Sequence, residues 1–226
     1  MNRKNSLLLP PQFFENDFDK KIRSILDLGI DALYLFDHFK NPKDSIKPTY
    51  IFTEEIFSLY KKVKNEIEVG VCVLNVNARD LNTLFNDIID PLLELKNINI
   101  GLGTGDNKYE KHDEIFDNDI EVVINYILKN NNFISNNSTL FIGGNSQSKL
   151  DLVQKYNLGI NQWMGLDSDF IDKQNVYKNL VNPIGRLSRC VTNKKISESD
   201  YEKIFVVKDS NLKIFQETID NIFKND

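Results

Sequence analysis

Short apolar runs alternate along this chain with longer stretches in which apolar residues recur at helical spacing. Brief continuous apolar runs read as buried strands, and a 3.6-residue period reads as amphipathic helix. Ser6–Leu9 is the first strand, stopped by Pro10-Pro11. Asp17–Leu28 carries Phe18, Ile22, Ile25, Leu26 and Leu28 in helical phase, with Gly29 at the C-cap position. The rhythm continues through strand Ala32–Phe36, helix Thr53–Val63 and strand Ile67–Leu74. Helix Leu81–Leu95 follows, with Pro91 expected to kink or split it, then strand Ile98–Leu102 and helix Ile120–Leu128. Asn130–Ser138 reads as a polar loop. Beyond it lie strand Leu140–Ile142, helix Ser146–Tyr156 with Gly159 as its cap, strand Ile160–Met164 and a helical pattern over Phe170–Leu180. Strands at Arg186–Val191 and Lys203–Val207 and a closing helix Asn211–Phe223 complete the chain.

Repeated strand-then-helix units imply a parallel sheet with right-handed crossovers. About eight such units predict an α/β fold, a (β/α)8 TIM-type barrel. Such barrels usually run to ~250 residues, with ~200 as the lower end. At 226 residues the chain is a barrel with trimmed loops, and its seventh unit is the least regular. An open doubly wound sheet is the alternative that periodicity does not separate. No break in composition divides the chain, so residues 1–226 read as one domain.

Composition narrows the classes. With 41% hydrophobic and 27% charged residues, the chain is neither disordered nor fibrous. A net charge of -5 without a basic stripe argues against a nucleic-acid partner. No apolar run approaches the length of a membrane span, and no targeting segment is visible. Two cysteines, Cys72 and Cys190, make neither a disulfide framework nor a four-thiolate metal site. They read as small buried residues, and the expected compartment is the cytoplasm. No metal site is expected from two isolated histidines, and His112 reads as solvated.

In a parallel barrel the chemistry sits beyond the C-terminal ends of the strands. Asp37-His38 follows the second strand; Asn75, Asn77 and Arg79 follow the third. His38 either donates a hydrogen bond to a substrate oxygen, or is a satisfied loop histidine. Asp37 would orient it or bind independently. Gly101-Leu102-Gly103-Thr104-Gly105-Asp106 fails the dinucleotide spacing but lets a flat ligand lie close to a strand end. Asp106 is an acid–base candidate or a helix cap. Gly143-Gly144-Asn145-Ser146 joins a strand to a helix, and reads either as an anion-binding turn or as a tight turn without a ligand. Asn161, Gln162 and Trp163 lie on or after the sixth strand.

Asp37-His38-Phe39, Val69-Gly70-Val71-Cys72-Val73-Leu74 with Arg79, Gly101-Leu102-Gly103-Thr104-Gly105 and Phe141-Ile142-Gly143-Gly144 occur in this order after successive strands. Together they resemble the luciferase-like family of flavin and deazaflavin oxidoreductases, over roughly residues 6 to 165. Within it the resemblance is to members that use coenzyme F420. It implies a barrel, a cofactor seated at the strand ends, and a non-proline cis peptide at Cys72-Val73 against the ring. It implies His38 and Asp106 as catalytic residues. It also implies Asp37, Cys72, Val73, Asn75, Gly103, Thr104, Gly105, Gly143, Gly144, Asn145 and Ser146 as cofactor-binding residues, with Gly143-Gly144 at the phosphate. The chain departs from the pattern in its length, in having Asp106 where the sugar-phosphate member has glutamate, and in lacking a tryptophan shortly after His38.

The resemblance therefore implies hydride transfer between the deazaflavin and a small organic substrate. The alternatives are an FMN-dependent monooxygenase or reductase on the same barrel, and a non-catalytic flavin-binding barrel or subunit. Relatives are commonly homodimers, and Phe57, Leu59 and Phe85 on the second and third helices are compatible with such an interface.

Overall fold

A computed structural model describes residues 4–38, 52–64, 66–105, 116–192, 200–207 and 211–223. Eight parallel strands close on themselves in chain order: β1 (Asn5–Leu8), β2 (Ala32–Leu35), β3 (Glu68–Asn75), β4 (Ile98–Gly103), β5 (Thr139–Gly143), β6 (Gly159–Trp163), β7 (Leu187–Val191) and β8 (Glu202–Val206). Closure is what separates the barrel from the open sheet. β1 pairs with β2 on one side (Leu7 with Leu33) and with β8 on the other (Leu7 with Phe205). A barrel leaves no exposed edge.

Helices α1 (Phe18–Leu26), α2 (Phe52–Val63), α5 (Ile120–Lys129), α7 (Gln147–Tyr156), α8 (Asp167–Lys178) and α9 (Leu212–Phe223) surround the strands. Outward strand residues such as Leu7, Leu33, Val71, Ile100, Leu140 and Phe205 pack into one core with their apolar stripes. On α5, Val123, Ile124 and Ile127 are wholly buried, and each such side chain stabilises by about 1.5–3 kcal/mol. The last helix meets the first elements of the chain: Phe215 packs edge-on against Phe13 at 5.4 Å.

Several local readings change. The stretch expected as one helix with a break at Pro91 runs as α3 (Leu81–Thr83), a π-helical segment Leu84–Ile89 and α4 (Asp90–Leu93). Proline has no N–H for the helix ladder, and the wider turn before it absorbs the mismatch. The polar loop 130–138 contains a short helix, α6 (Asn131–Ser135), because Asn130 caps it at the Asn132 N–H and Phe133 buries beneath it. Asn157, not Gly159, ends α7 in the left-handed conformation (φ 59°). Gly159 instead begins β6, where a Cβ would lie 2.6 Å from the Arg186 backbone. Among the described residues no helix lies between β7 and β8, yet the barrel still closes through both. Also among them, no helix is long and apolar enough to cross a membrane.

The barrel interior is filled in two tiers. Near the N-terminal ends sits a buried polar plug. The Glu202 carboxylate accepts from Ser6 Oγ (2.5 Å), Tyr34 OH (3.1 Å) and Arg186 (3.5 Å). Arg186 and Lys4 also engage Glu68, at 2.5 and 2.6 Å. Above the plug lie Leu8, Ala32, Tyr34, Cys72, Phe141, Cys190 and Ile204, an apolar layer on which the site rests.

Of the residues that suggested a dimer interface, one is in the core and two are half-buried. Leu59 is fully buried, while Phe57 and Phe85 pack against the core. Phe85 stacks on Tyr126 with ring centroids 4.0 Å apart.

Candidate active site

A cavity of about 490 Å³ opens at the C-terminal mouth of the barrel. Its floor is the end of β3. The Cys72–Val73 peptide is cis, and the pairing of β3 with β4 shifts register between Val71 and Leu74. Both residues face the cavity. The Cys72 thiol lies 3.8 Å from that of Cys190 across the interior. The neighbouring thiol and burial both push the Cys72 pKa up, so Cys72 meets a ligand as a neutral, apolar surface.

Val73 explains two of the glycines. A Cβ on Gly103 would stand 2.6 Å from Val73 Cγ2, and one on Gly143 would stand 2.8 Å from Val73 Cγ1. The bare ends of β4 and β5 form the notch that receives the valine. Valine then presents a half-buried pad to the cavity. Gly103 is expected from the sequence to let a flat ligand lie close to the strand end, and Gly143 to form an anion-binding or tight turn; in the structure both make room for Val73.

His38, half-buried, lines the cavity beside Phe36, with their rings 5.4 Å apart. Leu8, Pro10, Trp163, Met164, Val206 and Val207 extend this mostly apolar wall. Trp163 is 52% exposed and stands at the rim. Asn161, buried, faces the cavity while its amide donates to Ser188 Oγ at 2.9 Å.

Asp37 does not face the cavity. Its carboxylate makes a two-pronged pair with Arg79, both contacts at 2.8 Å, and accepts from the Asn75 N–H at 3.0 Å. Its own N–H donates to Val73 O at 3.3 Å. Asp37 therefore clamps the end of β2 to the turn after β3. Asn75 is buried in that turn, where its Oδ1 accepts from the Asn77 N–H. The structure thus brings His38, Cys72, Val73, Gly103, Thr104, Gly105, Gly143 and Gly144 around one cavity. Asp37 and Asn75 support it from outside. Asp106 and His112 lie outside the described residues. Gln162 faces outward and donates to the Met164 and Leu166 carbonyls.

Lys149 is the cavity residue that the sequence reading missed. It lies on the first turn of α7, and its Nζ donates to Thr104 Oγ1 at 3.0 Å. Burial lowers its pKa. Gly144, with φ 120°, makes this reach feasible: a Cβ there would lie 2.8 Å from Lys149 Nζ. A lysine shortly after a glycine turn at a helix start was the available signal. Asn145 and Ser146 lie on the exposed turn beside the cavity. The cavity thus joins an apolar floor and wall to a cationic end that carries hydrogen-bond donors. That combination suits a flat ring with an anionic tail.

No family model and no curated sequence matches the chain. Among the solved structures that resemble it, two do so over 87% of its length. One is the coenzyme F420 dependent tetrahydromethanopterin reductase from Methanopyrus kandleri, at a TM-score of 0.58 and 14% identity, with 68% of that chain covered. The other is the oxygenating constituent of 3,6-diketocamphane monooxygenase, a type II Baeyer-Villiger monooxygenase from Pseudomonas putida, in complex with FMN. It aligns at a TM-score of 0.52 and 10% identity, again with 68% covered. The chain shares the fold of these two enzymes. At such identities the likeness speaks for the backbone, and the chemistry rests on the cavity's own residues.

Proposed function

We propose that the chain is a luciferase-like oxidoreductase that transfers a hydride between coenzyme F420 and a small organic substrate. The observation that carries the reading is the Val73 pad, seated in the Gly103–Gly143 notch beneath an apolar cavity with Lys149 at one end. A tricyclic ring fits on such a pad with its phosphate toward Lys149. The bound deazaflavin supplies the hydride chemistry; the chain supplies orientation and charge.

Cys72 and Val73 back the ring. Gly143, Gly144, Asn145 and Ser146, with Lys149 and Thr104, hold the anionic tail. Gly105, which also lines the cavity, would lie against the bound cofactor. His38, on the opposite wall beside Phe36, donates a hydrogen bond to the substrate oxygen or exchanges a proton with it. Asp106 is the second acid–base group of the proposal. Asp37 and Asn75 act at one remove, by fixing the turn that follows the pad.

FMN is the second reading, favoured by the FMN complex of the Pseudomonas putida neighbour. The Lys149 end accommodates either phosphate. A non-catalytic flavin-binding barrel or subunit is the third. Titration of the purified chain with F420 and with FMN, followed by absorbance and fluorescence, tests all three. Micromolar F420 binding with FMN ignored supports the proposal, and preference for FMN moves it to the second reading. Binding of neither overturns both enzyme readings. In the F420 case, His38→Ala should retain cofactor binding and lose at least about a hundredfold in turnover, the lower end of a general acid–base contribution.

A further inference from the structure

The turn between β5 and α7 is flanked by lysines from two successive helices. Lys149 reaches Thr104 as described. Lys173, on α8, is only 2% exposed and donates to Asn145 Oδ1 at 2.6 Å and to Asn161 O at 3.2 Å. Both acceptors are neutral, and among the described residues no carboxylate is hydrogen-bonded to either ammonium. A buried ammonium without a bonded counter-charge is costly, so its retention calls for a reason.

An ammonium can only donate. Lys173 therefore fixes the Asn145 amide with its oxygen inward and its NH₂ outward. The open side of the turn then presents the Asn145 NH₂, the Lys149 ammonium and the Thr104 hydroxyl, whose oxygen is already taken by Lys149. All three are donors on or beside one turn. A ligand held there must bring acceptors, and the two positive charges favour an anion.

We propose that Lys173 is a positioning residue that turns the donors of Asn145 outward and so commits the Gly143–Ser146 turn to an oxyanion of the phosphate class. The inference rests on reading that turn as the phosphate end of the cofactor site, and it adds a proton linkage to it. Burial pulls the Lys173 pKa down to about 8, opposed by Asp169 on its own helix and reinforced by Lys149 on α7, with Cys190 on β7 also facing it. A bound anion favours the charged ammonium and raises that value. Binding is thus strongest below about pH 8 and weakens as pH rises through it, with proton uptake accompanying binding above that point. A phosphate monoester, with its second pKa near 6, is already fully charged there and does not mask the effect.

Isothermal titration of the full chain with inorganic phosphate, FMN and riboflavin at pH 7, and with the monoester FMN and riboflavin also at pH 9, tests this. Lys173→Met should weaken inorganic phosphate and FMN by about tenfold at pH 7, the scale of a lost charge-assisted contact, and reduce the fall in affinity between the two pH values. Riboflavin, which has the ring without the phosphate, should bind both proteins alike. Asn145→Asp gives Lys173 a carboxylate partner, so the protein should fold, while the turn repels phosphate. Wild-type protein that ignores phosphate overturns the inference. So does Lys173→Met with unchanged affinity and pH profile, and so does Asn145→Asp that binds phosphate as wild type does. Because inorganic phosphate needs no ring site, phosphate binding without F420 or FMN binding would reject the cofactor reading and leave the role of Lys173 standing.

Discussion

The Val73 notch gives the sharpest quantitative test of the site. Gly103→Ala would place a methyl 2.6 Å from Val73 Cγ2, about 1 Å inside ordinary contact between carbon atoms. Overpacking of this kind costs about 1–3 kcal/mol. For a chain of this length that is a fall in Tm of about 2–12 °C. Val73→Ala alone removes two half-buried methyls and should cost about 1 kcal/mol. In the double variant the clash has no partner, so its stability should match that of Val73→Ala rather than the sum of the two changes. The coupling would then equal the whole cost of Gly103→Ala, about 1–3 kcal/mol, measurable by denaturant unfolding of the four proteins. Cofactor titration on the same set should show weaker ring binding in Gly103→Ala. If Gly103→Ala melts with wild type, or if the two changes simply add, the glycines are not there for the valine.

Other outcomes follow from the same contacts. Burial raises the Glu202 pKa inside the plug, against the pull of Arg186, Ser6 and Tyr34. Its share of stability is therefore present in acid and lost as pH rises through the raised value, so the Tm of Glu202→Gln relative to wild type should climb from about pH 4 upward; a flat difference would contradict the burial argument. Asp37→Ala removes the two-pronged carboxylate partner of Arg79, whose side chain is 19% exposed, and leaves the Asn75 N–H without its acceptor. It should cost about 2–3 kcal/mol, below the range for a fully buried pair, and loosen cofactor binding without touching the ligand; unchanged affinity would remove Asp37 from the support of the floor. Phe133→Ala, which empties a pocket under α6, should cost about 3–5 kcal/mol by chemical denaturation, whereas a true surface loop would give almost none.

Much of this architecture was legible along the chain because the signals are local. The strand at Glu68–Asn75 is buried on both faces and therefore reads as continuous apolar sequence. Helix α5 shows its phase because Val123, Ile124 and Ile127 must face one way. The glycines at 103 and 143 marked the strand ends where the cavity lies. Their partner was not legible, because Val73 is 30 residues from one and 70 from the other. Lys149 and Lys173 looked like ordinary helix-surface lysines for a similar reason. Nothing in α7 or α8 says that one reaches Thr104 and the other Asn145. Helix α6 was hidden by its asparagines, which suit a loop and a cap equally well.

Sequence alone determined the alternation of strands and helices, the end of the barrel at which polar residues and glycines gather, and the family pattern that suggested the chemistry. Those are properties of spacing, and spacing is carried by neighbours in the chain. Tertiary structure decided the closure of β1 on β8, the redirection of Asp37 from ligand to clamp, and the pairing of two lysines around one turn. Each of these joins residues far apart in sequence, and only burial in a common interior selects one partner from the many that local propensity leaves equal.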